Sequence, residues 1–222
     1  MDSVIDMNSA RALVGDAALW PKVRDFLWDF APQIYESWLK DLGLESSPVS
    51  SLMSSPRVRR FILERLGVEP CFHAFPKGDW SRLLLLDGAT LQEIARWLGA
   101  LLCADGLRRV TAGATVRELK SALPGVYPEV FGYTMYFGRE LADAKSGFTD
   151  AAGVVALGLS ALASLLADLP GPLVARLKFK LPKDLAGSAS PRDAEKPSAD
   201  VGSALSKLLK LKFPEAYSLC CS

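Results

Sequence analysis

"TLQEIARWLGALLCADGLRRVTAGATVRELKSALPG", Thr90–Gly125, decides the fold. Leu91, Ile94, Ala95, Leu98, Leu101 and Leu102 recur at helical spacing and give one apolar stripe. "TLQE" (Thr90, Glu93) and "TVRE" (Thr115, Glu118) have the form of capping boxes, in which the hydroxyl and the carboxylate satisfy orphan amides at a helix start. Asp105-Gly106 reads as a turn between the two helices, Val116, Leu119 and Leu123 point inward, and Cys103 continues the stripe.

The same period extends upstream. Trp20, Val23, Phe26, Leu27 and Phe30 share a face, with Pro21 in a first turn, where its missing amide costs nothing. "PQIYESWLKDLG" runs from Pro32 to a stop at Gly43, and "PRVRRFILERLG" follows a Ser55 cap, with Val58, Phe61, Ile62 and Leu66 on one side and Gly67 at its end. "SRLLLLDG" suits a short buried helix better than a strand. Downstream, "YPEVFGYTMYFGRELADA" is aromatic-rich and helical, broken near Gly132 and Gly138. Thr149 is placed to cap the apolar run "AAGVVALGLSALASLLA", which "PGP" stops. That run is uncharged from Ala151 to Ala167, but its Ala, Gly and Ser content and the flanking Asp150 and Asp168 favour a buried helix over a membrane span. In "LVARLKFKLP" the period changes: Leu177, Phe179 and Leu181 alternate with Lys178 and Lys180, as in a strand. The expected fold is therefore mainly α, an irregular helical bundle with a short β element near 176–181. The expected organisation is a helical core at 1–182, a flexible Pro-containing linker at 183–200, and a basic amphipathic helix at 201–222 with Val201, Ala204, Leu205, Leu208 and Leu211 to one side and Ser203, Lys207 and Lys210 opposite.

Half of the 222 residues are hydrophobic and 23% are charged, enough to bury a core and inconsistent with wholesale disorder. The net charge of +1 gives no global field for nucleic acid, although the charge is uneven. From Leu173 onward nine Lys/Arg face five Asp/Glu, while the rest has 17 against 20. A basic tail on a slightly acidic body suits an acidic protein or an anionic surface. Four cysteines, Cys71, Cys103, Cys220 and Cys221, show no disulfide framework, and the N-terminus lacks a secretory signal pattern, so a reducing cytosolic setting is expected.

Chemistry is sparse. Cys71 and His73 form one Cys-x-His pair, but zinc needs about four ligands and His73 is the only histidine. "GLSAL" around Ser160 lacks the second Gly of a nucleophile elbow, and "GDWSRL" and "DGATLQ" lack the phosphate-loop spacing. "CCS" at the end is no prenylation box. The chain is expected to be no enzyme and to need no cofactor or metal. "TLQEIARWLG" has the sound of a helix-turn-helix, which makes a DNA-binding regulator the alternative reading. The apolar stripe nevertheless runs on past Gly99, and the would-be recognition helix offers only Arg117 and Lys120 to phosphates. The candidate partner-binding groups are Arg57, Arg59 and Arg60, the pair Arg108–Arg109, and Lys207 and Lys210 with Lys212 beside them. Arginine's planar fork suits carboxylates on a protein.

From about Leu83 to Lys183, and again at the tail, the sequence resembles the sorting-platform adaptors of type III secretion systems, the SctK/YscK-like family. The resemblance lies in the order of its parts. A Leu run leads into "LGALLCADGLRRV" and "LKSALPGVYPEVFGYTM"; a small-residue helix precedes "ARLKFKLP"; after a linker comes "SKLLKLKFPEAYSL". The N-terminal part through "ESWLKDLGL" fits loosely. The resemblance implies a mainly helical, non-catalytic cytoplasmic protein of bacterial injectisomes, with no direct membrane span. It would sit at the inner membrane through its partners. These would be the cytoplasmic domain of the inner-membrane ring protein and the pod protein of the sorting platform, and indirectly the stator and ATPase. No catalytic residues carry over.

Overall fold

The computed structural model describes residues 19–44, 51, 53–68, 75, 80–137, 150–189 and 200–221. Among them every regular element is helical, which agrees with the mainly α expectation. Chain contacts separate two compact units, Met1–Gly88 with Asp168–Ala186, and Ala89–Ala167 with Gly187–Ser222.

The first unit contains α1 (Trp20–Trp28), α2 (Glu36–Lys40), α3 (Pro56–Arg65) and α9 (Gly171–Phe179), with 3-10 turns at Ala31–Gln33 and Ser81–Leu85. Pro21 and Pro56 lie in first helical turns, where no amide is required of them. Gly67 closes α3 at φ +65 and Gly43 follows α2 at φ +72, the left-handed region that a glycine enters without strain. "SRLLLLDG" forms the 3-10 turn, burying Leu83, Leu84 and Leu85 against α1 and α9. Phe26, Phe30, Ile62, Leu173 and Leu177 complete the core.

The strand expected near 176–181 is not there. Gly171–Phe179 is α-helical, and Lys180 and Leu181 turn out of it. The alternation reads as a strand only if Lys180 faces water. It does not: Arg176 and Lys180, four residues apart, are 2% and 1% exposed and lie on one helical face with Leu173 and Leu177. Segment 35–41 pins the end of α9. The Tyr35 amide donates to the Phe179 carbonyl (2.7 Å), Trp38 Nε1 donates to the Leu181 carbonyl (2.9 Å), and the Trp38 and Phe179 rings meet edge-on at 4.9 Å.

The second unit contains most of α4 (Gly88–Leu102), then α5 (Ala104–Arg108), α6 (Gly113–Ala122), α7 (Val130–Tyr133), α8 (Ala151–Leu165), α10 (Asp200–Lys212) and α11 (Pro214–Cys221). The stripe of α4 is buried as expected, along with Trp97, Gly99 and Ala100. Both capping boxes fall inside their helices, because α4 begins at Gly88 and α6 at Gly113. Thr90 and Thr115 are therefore first-turn residues. Helix α4 continues unbroken past Gly99, so no turn follows "TLQEIARWLG" at the distance a DNA reader needs.

Helix α8 packs against α6 and α10. Its start is capped by Asp150, whose carboxylate accepts the Gly153 amide at 2.6 Å; Thr149, expected to do this, lies outside the described residues, as do Gly138, Cys71 and His73. No helix among the described residues is long and apolar enough to cross a membrane. A Cβ on Gly99 would stand 1.9 Å from the Val154 carbonyl oxygen, and one on Gly158 1.9 Å from that of Ala95. Each glycine thus lets the backbone of one helix touch the other. Helix α10 buries Val201, Ala204, Leu205, Leu208 and Leu209; Leu211, expected inward, is 47% exposed.

Candidate functional site

The predicted cations occupy different settings in the two units. On α3, Arg57 is exposed, Arg59 pairs with Asp29 (2.5 Å) and Arg60 pairs with Glu64 one turn on (2.8 Å). Phe61 lies outward rather than on the core face with Val58 and Ile62, and carries the Arg65 guanidinium over its ring at 5.4 Å. Beside this helix lies a groove of about 650 Å³. Leu27, Trp28, Phe30, Leu63 and Val68 give it apolar walls; Asp29, Arg59, Arg60, Glu64 and Arg176 give it charge.

Arg176 and Lys180 form a buried cationic pair that inspection of the sequence misses. The Arg176 guanidinium donates to the carbonyls of Phe26 and Leu27 and lies over the Phe26 and Phe30 rings at 5.6 and 5.3 Å. Lys180 Nζ donates to the carbonyls of Leu84 (2.6 Å) and Leu86 (2.8 Å) and sits 5.0 Å from the Phe26 centroid. Burial lowers the Lys180 pKa from 10.5 to about 7; Asp87 works against that shift and Arg176 adds to it. The i, i+4 spacing was a signal for this pair, legible once the segment is taken as helix.

In the second unit Arg108 is held in place by its own neighbours. It bonds Asp105 (3.2 Å) and the Thr134 hydroxyl, and stacks over Phe131 at 5.8 Å. Arg109 is exposed next to it, and Met135 and Tyr136 are exposed at 77% and 58%. Lys207 and Lys210 lie on the outer face of α10. Lys212, at the end of the same helix, sits over Trp97 (4.3 Å) and Tyr133 (4.6 Å) and bonds Glu129 (3.2 Å). Burial acts to lower its pKa, but the bonds to Tyr133 and Glu129 prevail and leave it raised. Cys103 is buried and donates its thiol to the Gly99 carbonyl at 3.0 Å; burial pushes its pKa up to about 11, which keeps it protonated and unreactive. Among the described residues no group of three or more His, Cys, Asp or Glu could hold a metal ion.

These arrangements offer recognition chemistry: basic helix faces, one apolar groove and exposed aromatic side chains. Comparison with known proteins bears on what they would recognise. No curated protein and no solved structure matches the chain. Residues 25–130, 106 of the 222, match the family described as YOP proteins translocation protein K (YscK). The match takes in "LGALLCADGLRRV" and the loosely fitting N-terminal helices, and ends before "ARLKFKLP" and the tail. It marks a distant kinship of this chain to the YscK family of type III secretion sorting-platform adaptors.

Proposed function

We propose that the protein is a non-catalytic adaptor of a bacterial type III secretion system, bridging the cytoplasmic domain of the inner-membrane ring protein to the pod protein of the sorting platform. The family match over residues 25–130 carries this reading. The surface chemistry supports it, since arginines on exposed helix faces suit carboxylates on partner proteins. In this role the protein works at the cytoplasmic face of the inner membrane, held there by its partners and linked through them to the stator and ATPase. Two separate surfaces serve two partners, the α3 arginines Arg57, Arg59 and Arg60 as one candidate contact and Arg108 and Arg109 as another, and Lys207 and Lys210 on α10 add a third contact.

The test is co-purification from cells assembling a secretion apparatus, with charge reversals at each patch. Arg57→Glu and Arg109→Glu are the informative variants. Arg59, Arg60 and Arg108 have acidic partners within the chain, so reversing them would set two carboxylates together. Loss of the ring or pod protein with an unchanged helical circular-dichroism spectrum supports the bridge. Retention of neither protein by the unaltered chain sinks it.

A further inference from the structure

Helix α3 divides its circumference into three arcs. Ile62, fully buried, and half-buried Val58 face the core. Pro56, Arg59, Arg60, Leu63 and Glu64 face the groove. Arg57, Phe61 and Arg65, at i, i+4 and i+8, face solvent, with Phe61 44% exposed. The first arc anchors the helix and leaves the other two to the groove and to solvent. Together they carry four arginines against one glutamate, and the groove adds Arg176 at its floor.

The groove has the size of a small-ligand site, which typically measures about 300–1,000 Å³. A small ligand would leave Arg57, Phe61 and Arg65 uncovered at its side. A segment of protein laid along α3 would cover both arcs. Its apolar side chains would meet Trp28, Leu63 and Val68, and its carboxylates would meet the arginine excess. Arg59, braced by Asp29, gives that wall a fixed shape before anything binds.

We propose that the α3 groove is the docking site for an acidic amphipathic segment of a protein partner, with an apolar side chain seated between Trp28 and Leu63 and carboxylates on Arg57 and Arg60. This rests on the adaptor reading and says where one of its contacts is made. The apolar anchor supplies most of the affinity, and the exposed arginines supply encounter rate and salt dependence. A helix in a groove is the common form of such recognition.

The experiment is hydrogen–deuterium exchange on the full chain with the purified pod protein and, separately, with the purified cytoplasmic domain of the ring protein. One of the two should protect residues 27–30 and 56–68. Leu63→Ser should weaken that complex about tenfold or more. Should Leu63→Ser not fold, Arg57→Glu and Phe61→Ser, both at exposed positions, carry the test. Arg57→Glu should weaken binding several-fold and flatten its decline with added salt. Binding with protection only elsewhere, for example at 131–136, overturns the groove and leaves the adaptor reading standing. Unchanged affinity in the variants that fold does the same. Protection of the groove by the chain alone as its concentration rises, with a dimer mass, assigns it to a second copy and also overturns the proposal. Binding of neither apparatus protein overturns both readings.

Discussion

The unit holding α1 and α9 closes its core around charge, and the unit holding α4 and α8 closes its core by omitting side chains. In the first, Arg176 and Lys180 enter an apolar interior, where carbonyls of Phe26, Leu27, Leu84 and Leu86 accept hydrogen bonds from them and their charge lies over phenyl rings. In the second, Gly99 and Gly158 let two helix backbones meet with nothing between them. Burying a cation costs free energy that hydrogen-bond acceptors offset, so the first core depends on an arrangement that presents those carbonyls. The glycine contact sets no such chemical condition and is intolerant of size alone. One core should therefore break with protonation, and the other with volume.

Volume should give the larger effect. Gly158→Val places a branched side chain where even a Cβ would be 1.9 Å from the Ala95 carbonyl oxygen, and that oxygen belongs to a helix backbone that cannot swing aside. Destabilisation of about 3 kcal/mol is expected from overpacking, read as a lowered urea midpoint by circular dichroism. Gly113→Ala is the control: nothing lies within 4 Å of its Cβ, and alanine is the better helix former. Equal midpoints for Gly158→Val and the native chain would remove the close crossing from the comparison.

Protonation acts next. The folded-state pKa of Lys180 is about 7 against an ordinary 10.5, so between those values the unfolded chain holds a proton that the folded chain has released. Stability then rises with pH across that window, and the penalty is fully present below about pH 7. A rise on the order of a few kcal/mol is expected between pH 7 and 10. Because other groups also titrate there, the comparison is with Lys180→Met, which keeps the length of the side chain and removes the charge. The difference between the two proteins in urea unfolding should shift in favour of the native chain as pH climbs, and stay flat below pH 7. A constant difference throughout would mean that the ammonium stays charged in the core.

The glycine-lined core was the more legible of the two. Leu91, Ile94, Ala95, Leu98 and Leu101 repeat with a helical period, and a period survives any error about where the helix starts. The starts themselves were misread, since Thr90 and Thr115 match a capping pattern whose place is fixed by the backbone ahead of them. The charged core was hidden because a lysine is assumed to face water. That assumption turned Leu177, Phe179 and Leu181 into a false strand and concealed the Arg176–Lys180 pair. The groove could not be read at all, because its walls come from residues 27–30, 56–68 and Arg176, which only the fold assembles. Of the cations picked out by sequence, Arg57, Arg109 and Lys210 are exposed as expected, while Arg59, Arg60 and Arg108 are engaged within the chain.

Lys212 combines features of both cores and should show the smallest effect. It is a cation held by aromatic rings like Lys180, yet it lies at the half-exposed end of α10, over Trp97 and Tyr133 and bonded to Glu129. Water still reaches it, so neither a large desolvation cost nor a large loss on removal applies. Lys212→Gln should cost about 1 kcal/mol, and Lys212→Arg should retain most of that because guanidinium also stacks on rings. Thermal melts of the three proteins at low and high salt separate the contributions: the Glu129 bond weakens with salt, whereas the ring contacts respond less. If glutamine melts with the native chain at every ionic strength, the ring and Glu129 contacts of Lys212 contribute nothing to stability.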